Sequence, residues 1–167
     1  MASDPLFPRY KLFIFDADDT LRRTTAPGKP CPHRPGEWEL VPGVRDLLSQ
    51  VRWGSPGNPL FGIASNQDQV GYGHLTLTMA RNLLRDLAHS AAACQPPDAA
   101  LQLCPHPLEQ ECECRKPKPG MLLAIMSHYG VGPKHTLFVG NHEIDREAAA
   151  RAQTDFSWST SFFPQLV

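Results

Sequence analysis

Apolar and polar positions divide the chain into short buried-type runs separated by loops. Residues 11–17 (KLFIFDA) form an apolar run that ends in acids, and residues 60–65 (LFGIAS) form a second that ends in polar groups. Residues 136–140 (TLFVG) make a third. Continuous apolar runs of this length, bounded by turn residues, predict strands buried on both faces. Residues 100–104 (ALQLC) and 154–158 (TDFSW) read as two weaker strands. Helical spacing of apolar residues predicts helices over 70–88, over 121–129 between Gly120 and Gly130, and over the Ala-rich stretch 143–152. Strands alternating with helices predict an α/β fold, a Rossmann-like three-layer sandwich with a central parallel sheet. In such sheets functional groups gather beyond the carboxyl ends of the strands. Three strands end in suitable chemistry: Asp16 and Asp18, Ser65 and Asn66, Asn141 and Asp145.

Composition narrows the class. The 167 residues fit a single domain spanning 1–167, long enough for a core without disulfide staples. Much of the high Pro content, 17 residues, falls at 26–42 and 54–59, which predicts loops there. No apolar run approaches the roughly 20 residues of a membrane span. The start, MASDPLFPRY, has neither a basic nor an apolar leader region, so a cytoplasmic protein is expected. The net charge of −1 argues against a non-specific nucleic-acid binder. In that compartment the five cysteines point to metal before disulfides.

Cys104, His106, Cys112 and Cys114 form C-x-H, five intervening residues, then C-x-C. Four such ligands in eleven residues make a Cys₃His shell suited to structural zinc. Cys31-Pro32-His33 has half of that pattern without local partners and reads as loop; Cys94 reads as a free thiol. Asp16 and Asp18 can face one site only if the backbone turns between them. Two close carboxylates repel unless a cation joins them, and Mg²⁺ prefers such oxygen ligands. Arg115, Lys116 and Lys118 follow the cysteine loop directly and could hold phosphate oxygens.

With FDADDTL, IASNQD, CPHPLEQECECRKPKPGML and FVGNHEID in this order, the chain resembles the haloacid dehalogenase superfamily of phosphohydrolases over residues 12–152. It is most similar to the capless, zinc-containing branch that includes histidinol-phosphate phosphatase domains and D-glycero-D-manno-heptose 1,7-bisphosphate phosphatases. The His106–Cys112 spacing and SNQD look like the former, RKPKPGML like the latter. The resemblance implies an Mg²⁺-dependent phosphomonoesterase acting on a small phosphate ester (sugar, polyol or histidinol phosphate). Asp16 would take the phosphoryl group as an aspartyl-phosphate. Asp18 would protonate the leaving oxygen and then activate water, while Thr20 would buttress the loop. Ser65 and Asn66 would hold phosphate or substrate, Lys116 would pair with the phosphate, and Arg115 would reach the substrate. Asp16, the carbonyl of Asp18, and Asn141 or Asp145 would bind Mg²⁺.

Three positions depart from that pattern: Asn141 stands where Asp is usual, His142 where Lys is common, and Asp19 where Gly is usual. Asp tolerates left-handed backbone, so the turn at Asp19 is expected to survive. The loop 22–40, with Arg22, Arg23, Lys29, His33 and Arg34, is expected to select the substrate or to be solvated. Two other functions fit the residues: a polynucleotide 3′-phosphatase, with Arg22, Arg23, Arg45 and Arg52 as a track for a strand end, and a non-catalytic zinc module in which Asn141 marks a lost Mg²⁺ site.

Overall fold

A computed structural model describes residues 9–163. The elements run β1 (Leu12–Phe15), β2 (Arg22–Thr24), β3 (Trp38–Leu40), α1 (Val44–Leu48), β4 (Leu60–Asn66), α2 (Leu77–Ala92) and β5 (Leu101–Cys104). They continue with α3 (Gly120–Tyr129), β6 (Thr136–Gly140), α4 (Glu143–Ala152), β7 (Asp155–Trp158) and α5 (Ser159–Phe162). Five strands form one sheet in the order β5-β4-β1-β6-β7, and every pairing is parallel. β2 and β3 form a separate antiparallel pair.

The strand alternation of β1 divides the core. Phe13 and Phe15 face a cluster with Phe61, Ile63, Leu84 and Leu87, while Leu12 and Ile14 face Met121, Ile125, Phe138 and Ala148. All four β1 side chains are buried, which is why that run carries no polar position. This is the three-layer α/β arrangement that the sequence predicts. The expected bounds of β6 and α4 match the structure, and those of the other strands and of α3 differ by one or two residues.

One helix differs more. The stretch expected as a helix from residue 70 is turn backbone up to 76, and α2 begins at Leu77. Thr76 caps it, its side chain accepting a hydrogen bond from the Met79 amide. Gly73 has φ +83 in that turn, and the residues before it meet the cysteine loop instead of continuing a helix. At Gly71 a Cβ would lie 2.6 Å from the Pro105 carbonyl oxygen, so the glycine lets the cysteine loop dock against this turn. Tyr72 secures the same junction: its hydroxyl bonds Glu109 and accepts from the Leu108 amide. The β2–β3 pair lies in the segment 22–40 expected to be loop, and α1 falls between the two Pro-rich segments, where no element was expected. Among the described residues, no helix is long and apolar enough to cross a membrane.

Candidate functional site

The carboxyl ends of β1, β4 and β6 converge. β1 stops at Phe15, and the chain then turns through residues 17–22, where three amides (Thr20, Leu21 and Arg22) point at the Ala17 carbonyl. Asp19 takes the left-handed conformation at φ 62, as expected of an Asp replacing Gly. The turn brings Asp16 and Asp18 to one site.

Asp16 is 7% exposed. Its Oδ1 accepts from Lys116 Nζ at 2.7 Å, and its Oδ2 accepts from Thr20 Oγ1 at 3.2 Å. Burial pushes its carboxyl up to about 6, against the pull of the Lys116 charge. Lys116 is itself buried, and its Nζ also donates to Asp145 Oδ1 at 2.6 Å. The two carboxylates outweigh burial and hold the ammonium charged, with its pKa above the usual value.

Asp145 is 1% exposed and fully engaged. Its Oδ2 accepts from the amides of Asn141 (3.2 Å) and His142 (3.1 Å), the second half of a capping box at the start of α4. A Cβ on residue 140 would come within 2.5 Å of the Asp145 Cβ, so Gly140 is what admits this carboxylate. Both Asp145 oxygens therefore have protein partners, and its role in this arrangement is to hold Lys116 and the Asn141 loop. Asn141 presents its Oδ1 to Thr20 Oγ1 at 3.3 Å. The Asp16 and Asn141 oxygens thus meet at one hydroxyl that has a single proton to donate. That pair of hard oxygen donors beside Asp18 fits a divalent cation such as Mg²⁺.

Asp18 lies between two donors: Arg22 Nε meets Oδ1 at 2.8 Å and Gln67 Nε2 meets Oδ2 at 2.7 Å. Gln67 Nε2 also reaches Ser65 Oγ at 2.8 Å, which places the buried Ser65 in the site. Asn66, expected to hold substrate, is occupied otherwise. Its Nδ2 donates to the Lys116 carbonyl at 3.2 Å, and its Oδ1 accepts from the Lys116 amide at 3.0 Å. Asn66 thus holds the main chain from which Lys116 projects. Arg115 pairs with Asp68 at 3.3 Å near the mouth. A cavity of about 400 Å³ opens beside the loop, lined by residues including Asp19, Arg23, Pro42, Ser159 and Phe163.

Cys104, His106, Cys112 and Cys114 bring their ligand atoms within 4.8 Å of one another and can hold a metal ion. The loop they form leads directly into Arg115 and Lys116. Cys31 is buried, and His33 stacks on His74 at 5.6 Å between ring centres. Cys94 is half-buried against the Ala88 carbonyl.

The expected substrate loop contributes fewer free cations than its composition suggests. Lys29 and Arg34 both pair with Glu37, at 2.9 and 3.1 Å, and Arg22 is buried on Asp18. Arg22, expected as a substrate-loop or strand-track cation, instead reaches Asp18, and Gln67, which had no expected role, joins it there. Arg22 stands four residues after Asp18, and Gln67 follows the SN dipeptide, but neither spacing carries meaning until the turns are known.

A family model described as polynucleotide kinase 3 phosphatase matches residues 11–167. The chain belongs to the polynucleotide kinase 3 phosphatase family. The chain is 34% identical over 113 residues to a D-glycero-beta-D-manno-heptose-1,7-bisphosphate 7-phosphatase of Pseudomonas putida, covering 68% of this chain and 63% of the relative. It is 32% identical over 146 residues to the enzyme of the same name from Bordetella bronchiseptica, covering 85% and 76%. The alignment thus spans less than two thirds of the Pseudomonas putida protein's length.

The crystal structure of the B. bronchiseptica D,D-heptose 1,7-bisphosphate phosphatase, complexed with magnesium and phosphate, superposes with a TM-score of 0.70 at 25% identity. It covers 87% of this chain and 78% of that one. A haloacid dehalogenase-superfamily hydrolase from Geobacter sulfurreducens shares the fold alone, with a TM-score of 0.56 at 17% identity over 89% and 86% of the two chains. The expected likeness to D-glycero-D-manno-heptose 1,7-bisphosphate phosphatases is borne out by these relatives, and the expected haloacid dehalogenase-like fold by the structures.

Proposed function

We propose that the protein is a Mg²⁺-dependent phosphomonoesterase that transfers the phosphoryl group of a small sugar phosphate to Asp16 and then to water. The observation that carries this reading is the buried Asp16 carboxylate at the end of β1, held 2.7 Å from Lys116 Nζ. One Asp16 oxygen attacks phosphorus, the bond to the ester oxygen breaks, and Asp18 gives its proton to the departing oxygen. Water then attacks the aspartyl-phosphate, Asp18 takes the water's proton, and the bond from phosphorus to Asp16 breaks to release inorganic phosphate. Lys116 and the Ser65 hydroxyl supply fixed positive charge and a donor for the phosphoryl oxygens. Mg²⁺, held by Asp16, Asn141 and the Asp18 carbonyl, would neutralise phosphoryl charge when bound. Zn²⁺ on the Cys₃His shell would fix the loop that places Arg115 and Lys116.

The sugar-phosphate assignment draws on the relatives, which are named for heptose bisphosphate. A second reading, phosphate removal from a polynucleotide 3′ end, is favoured by the family's own description. Against it, Arg22 is not available to a strand, and Arg52 lies in the turn that precedes β4, at the opposite end of the sheet from Asp16. The test compares kcat/KM for D-glycero-D-manno-heptose 1,7-bisphosphate, histidinol phosphate and a 3′-phosphorylated oligonucleotide at fixed salt, with Asp16→Asn as control. The sugar bisphosphate is expected to lead, and Asp16→Asn to be inactive. An oligonucleotide advantage of tenfold or more, about 1.4 kcal/mol of transition-state discrimination, overturns the substrate reading. Single-turnover activity in Asp16→Asn overturns the mechanism.

A further inference from the structure

Arg22 is an unusual residue to find in an interior. It is 1% exposed, its Nε donates to Asp18 Oδ1, and its Nη1 is shut off from solvent with no hydrogen-bond partner. Burying a guanidinium is costly even when it is paired, and an unpaired N–H adds to the cost. An aliphatic side chain would fill the space with neither penalty. What only Arg22 supplies is a fixed, permanently charged donor on one oxygen of Asp18.

We propose that Arg22 is a positioning residue for the proton transfer made by Asp18, and that it fixes which carboxyl oxygen carries the proton. The inference rests on the phosphatase reading above. A guanidinium has donors and no acceptor. Oδ1, facing Arg22 Nε, therefore remains an acceptor throughout the reaction, and the exchangeable proton resides on Oδ2. That oxygen faces Gln67, whose carboxamide is in turn held near Ser65 on β4. Because a carboxamide offers both a donor and an acceptor, Gln67 can face Oδ2 in either protonation state by turning over. In the first step the proton passes from Oδ2 to the ester oxygen as its bond to phosphorus breaks, and Asp18 is left as a carboxylate on Arg22. In the second step the same Oδ2 takes a proton from the attacking water.

The main chain supports a clean test. The Asp19 amide donates to the Arg22 carbonyl at 2.6 Å, and the Arg22 amide donates to the Ala17 carbonyl at 3.1 Å. Both bonds survive a change of side chain at 22, so the turn has its own support.

The experiment compares kcat/KM for two kinds of ester in the full chain, because this ratio reports the steps through departure of the leaving group. p-Nitrophenyl phosphate releases an anion that needs no proton, whereas an alkyl phosphate, the best of the three esters above, does need one. Arg22→Met is expected to lower kcat/KM for the alkyl ester about 100-fold and to change that for p-nitrophenyl phosphate by less than about threefold. Arg22→Lys, which keeps a charged donor, should fold normally and show the same selective loss at smaller size. Thermal unfolding monitors the fold, and if Arg22→Met does not fold, Arg22→Lys decides. Equal losses on both esters in the folded variant, or none on either, overturn the proposal while leaving the phosphatase reading intact. A wild-type protein inactive on both esters overturns the phosphatase reading and this inference with it.

Discussion

Asn66→Ala separates a residue that positions the machinery from one that touches substrate. The Asn66 carboxamide closes a two-bond ring with the Lys116 main chain, accepting at 3.0 Å and donating at 3.2 Å. Alanine removes both bonds and leaves the Lys116 amide and carbonyl unpaired in a half-buried setting. At about 1 kcal/mol per bond, the loss is about 2 kcal/mol. For a chain of this size that lowers the unfolding midpoint by roughly 4–8 °C. The functional effect follows from Lys116, whose ammonium lies 2.7 Å from Asp16 and 2.6 Å from Asp145. A displacement of about 1 Å at such a group costs on the order of 100-fold. The expected result is a kcat lowered by roughly 10–100-fold with KM little changed, together with the fall in midpoint. Asn66→Asp should fall between, since a carboxylate can still accept from the Lys116 amide and cannot donate to its carbonyl. Steady-state kinetics and a thermal melt of the same preparations check it. A raised KM with an unaltered midpoint would place the carboxamide on the substrate and refute the positioning argument.

Three further outcomes follow from the site. Burial raises the Asp16 pKa from 3.8 to about 6, so the folded state holds this proton more tightly than the unfolded chain does. The associated stability is complete below about pH 4 and is lost as pH rises through about 6. In metal-free protein Asp16→Asn should therefore melt above wild type at about pH 7, with the gap closing towards about pH 4; a gap independent of pH contradicts the assignment. Asn141→Asp places a second carboxylate beside Asp16, a repulsion of about 3 kcal/mol at a separation of about 5 Å and an effective dielectric of about 20. It should lower the midpoint without metal and shift the activity titration to lower Mg²⁺; an unchanged Mg²⁺ response means residue 141 does not face the ion. Protein purified without added metal should hold about one zinc per chain. Removing the zinc and assaying with Mg²⁺ restored should abolish turnover before the far-ultraviolet spectrum changes, and zinc-free protein of full activity would refute a role for that loop in placing Lys116.

The sheet was readable because its central strands are buried on both sides. In β1 and β6 every position is buried, and uninterrupted apolar runs are what such a setting requires. The Cys₃His shell was readable because its four ligands sit within eleven residues, so spacing alone carries the geometry. The segments that escaped lack such a pattern. β2 and β3 have three residues each, too few for alternation to register, and Val70, Tyr72 and Leu75 imitate a helix while belonging to the turn that receives the cysteine loop.

The polar interior was legible only in part, and the reason is non-local pairing. Lys116 meets Asp16 across 100 positions and Asp145 across 29, and resemblance rather than pattern brought these three together. Arg22, Lys29 and Arg34 look alike in a sequence, three cations in one Pro-rich stretch. The fold sends the first into the interior on Asp18 and the other two onto Glu37, whose carboxyl falls to about 2, chiefly through the His33 amide and then through Lys29. A cation count therefore overstates what the loop can offer an anionic substrate. Apolar periodicity reports where water is excluded, and it does so locally. Which charge neutralises which is decided only after the turns at residues 17–22 and 67–76 have formed, and the selectivity of this site depends on that second decision.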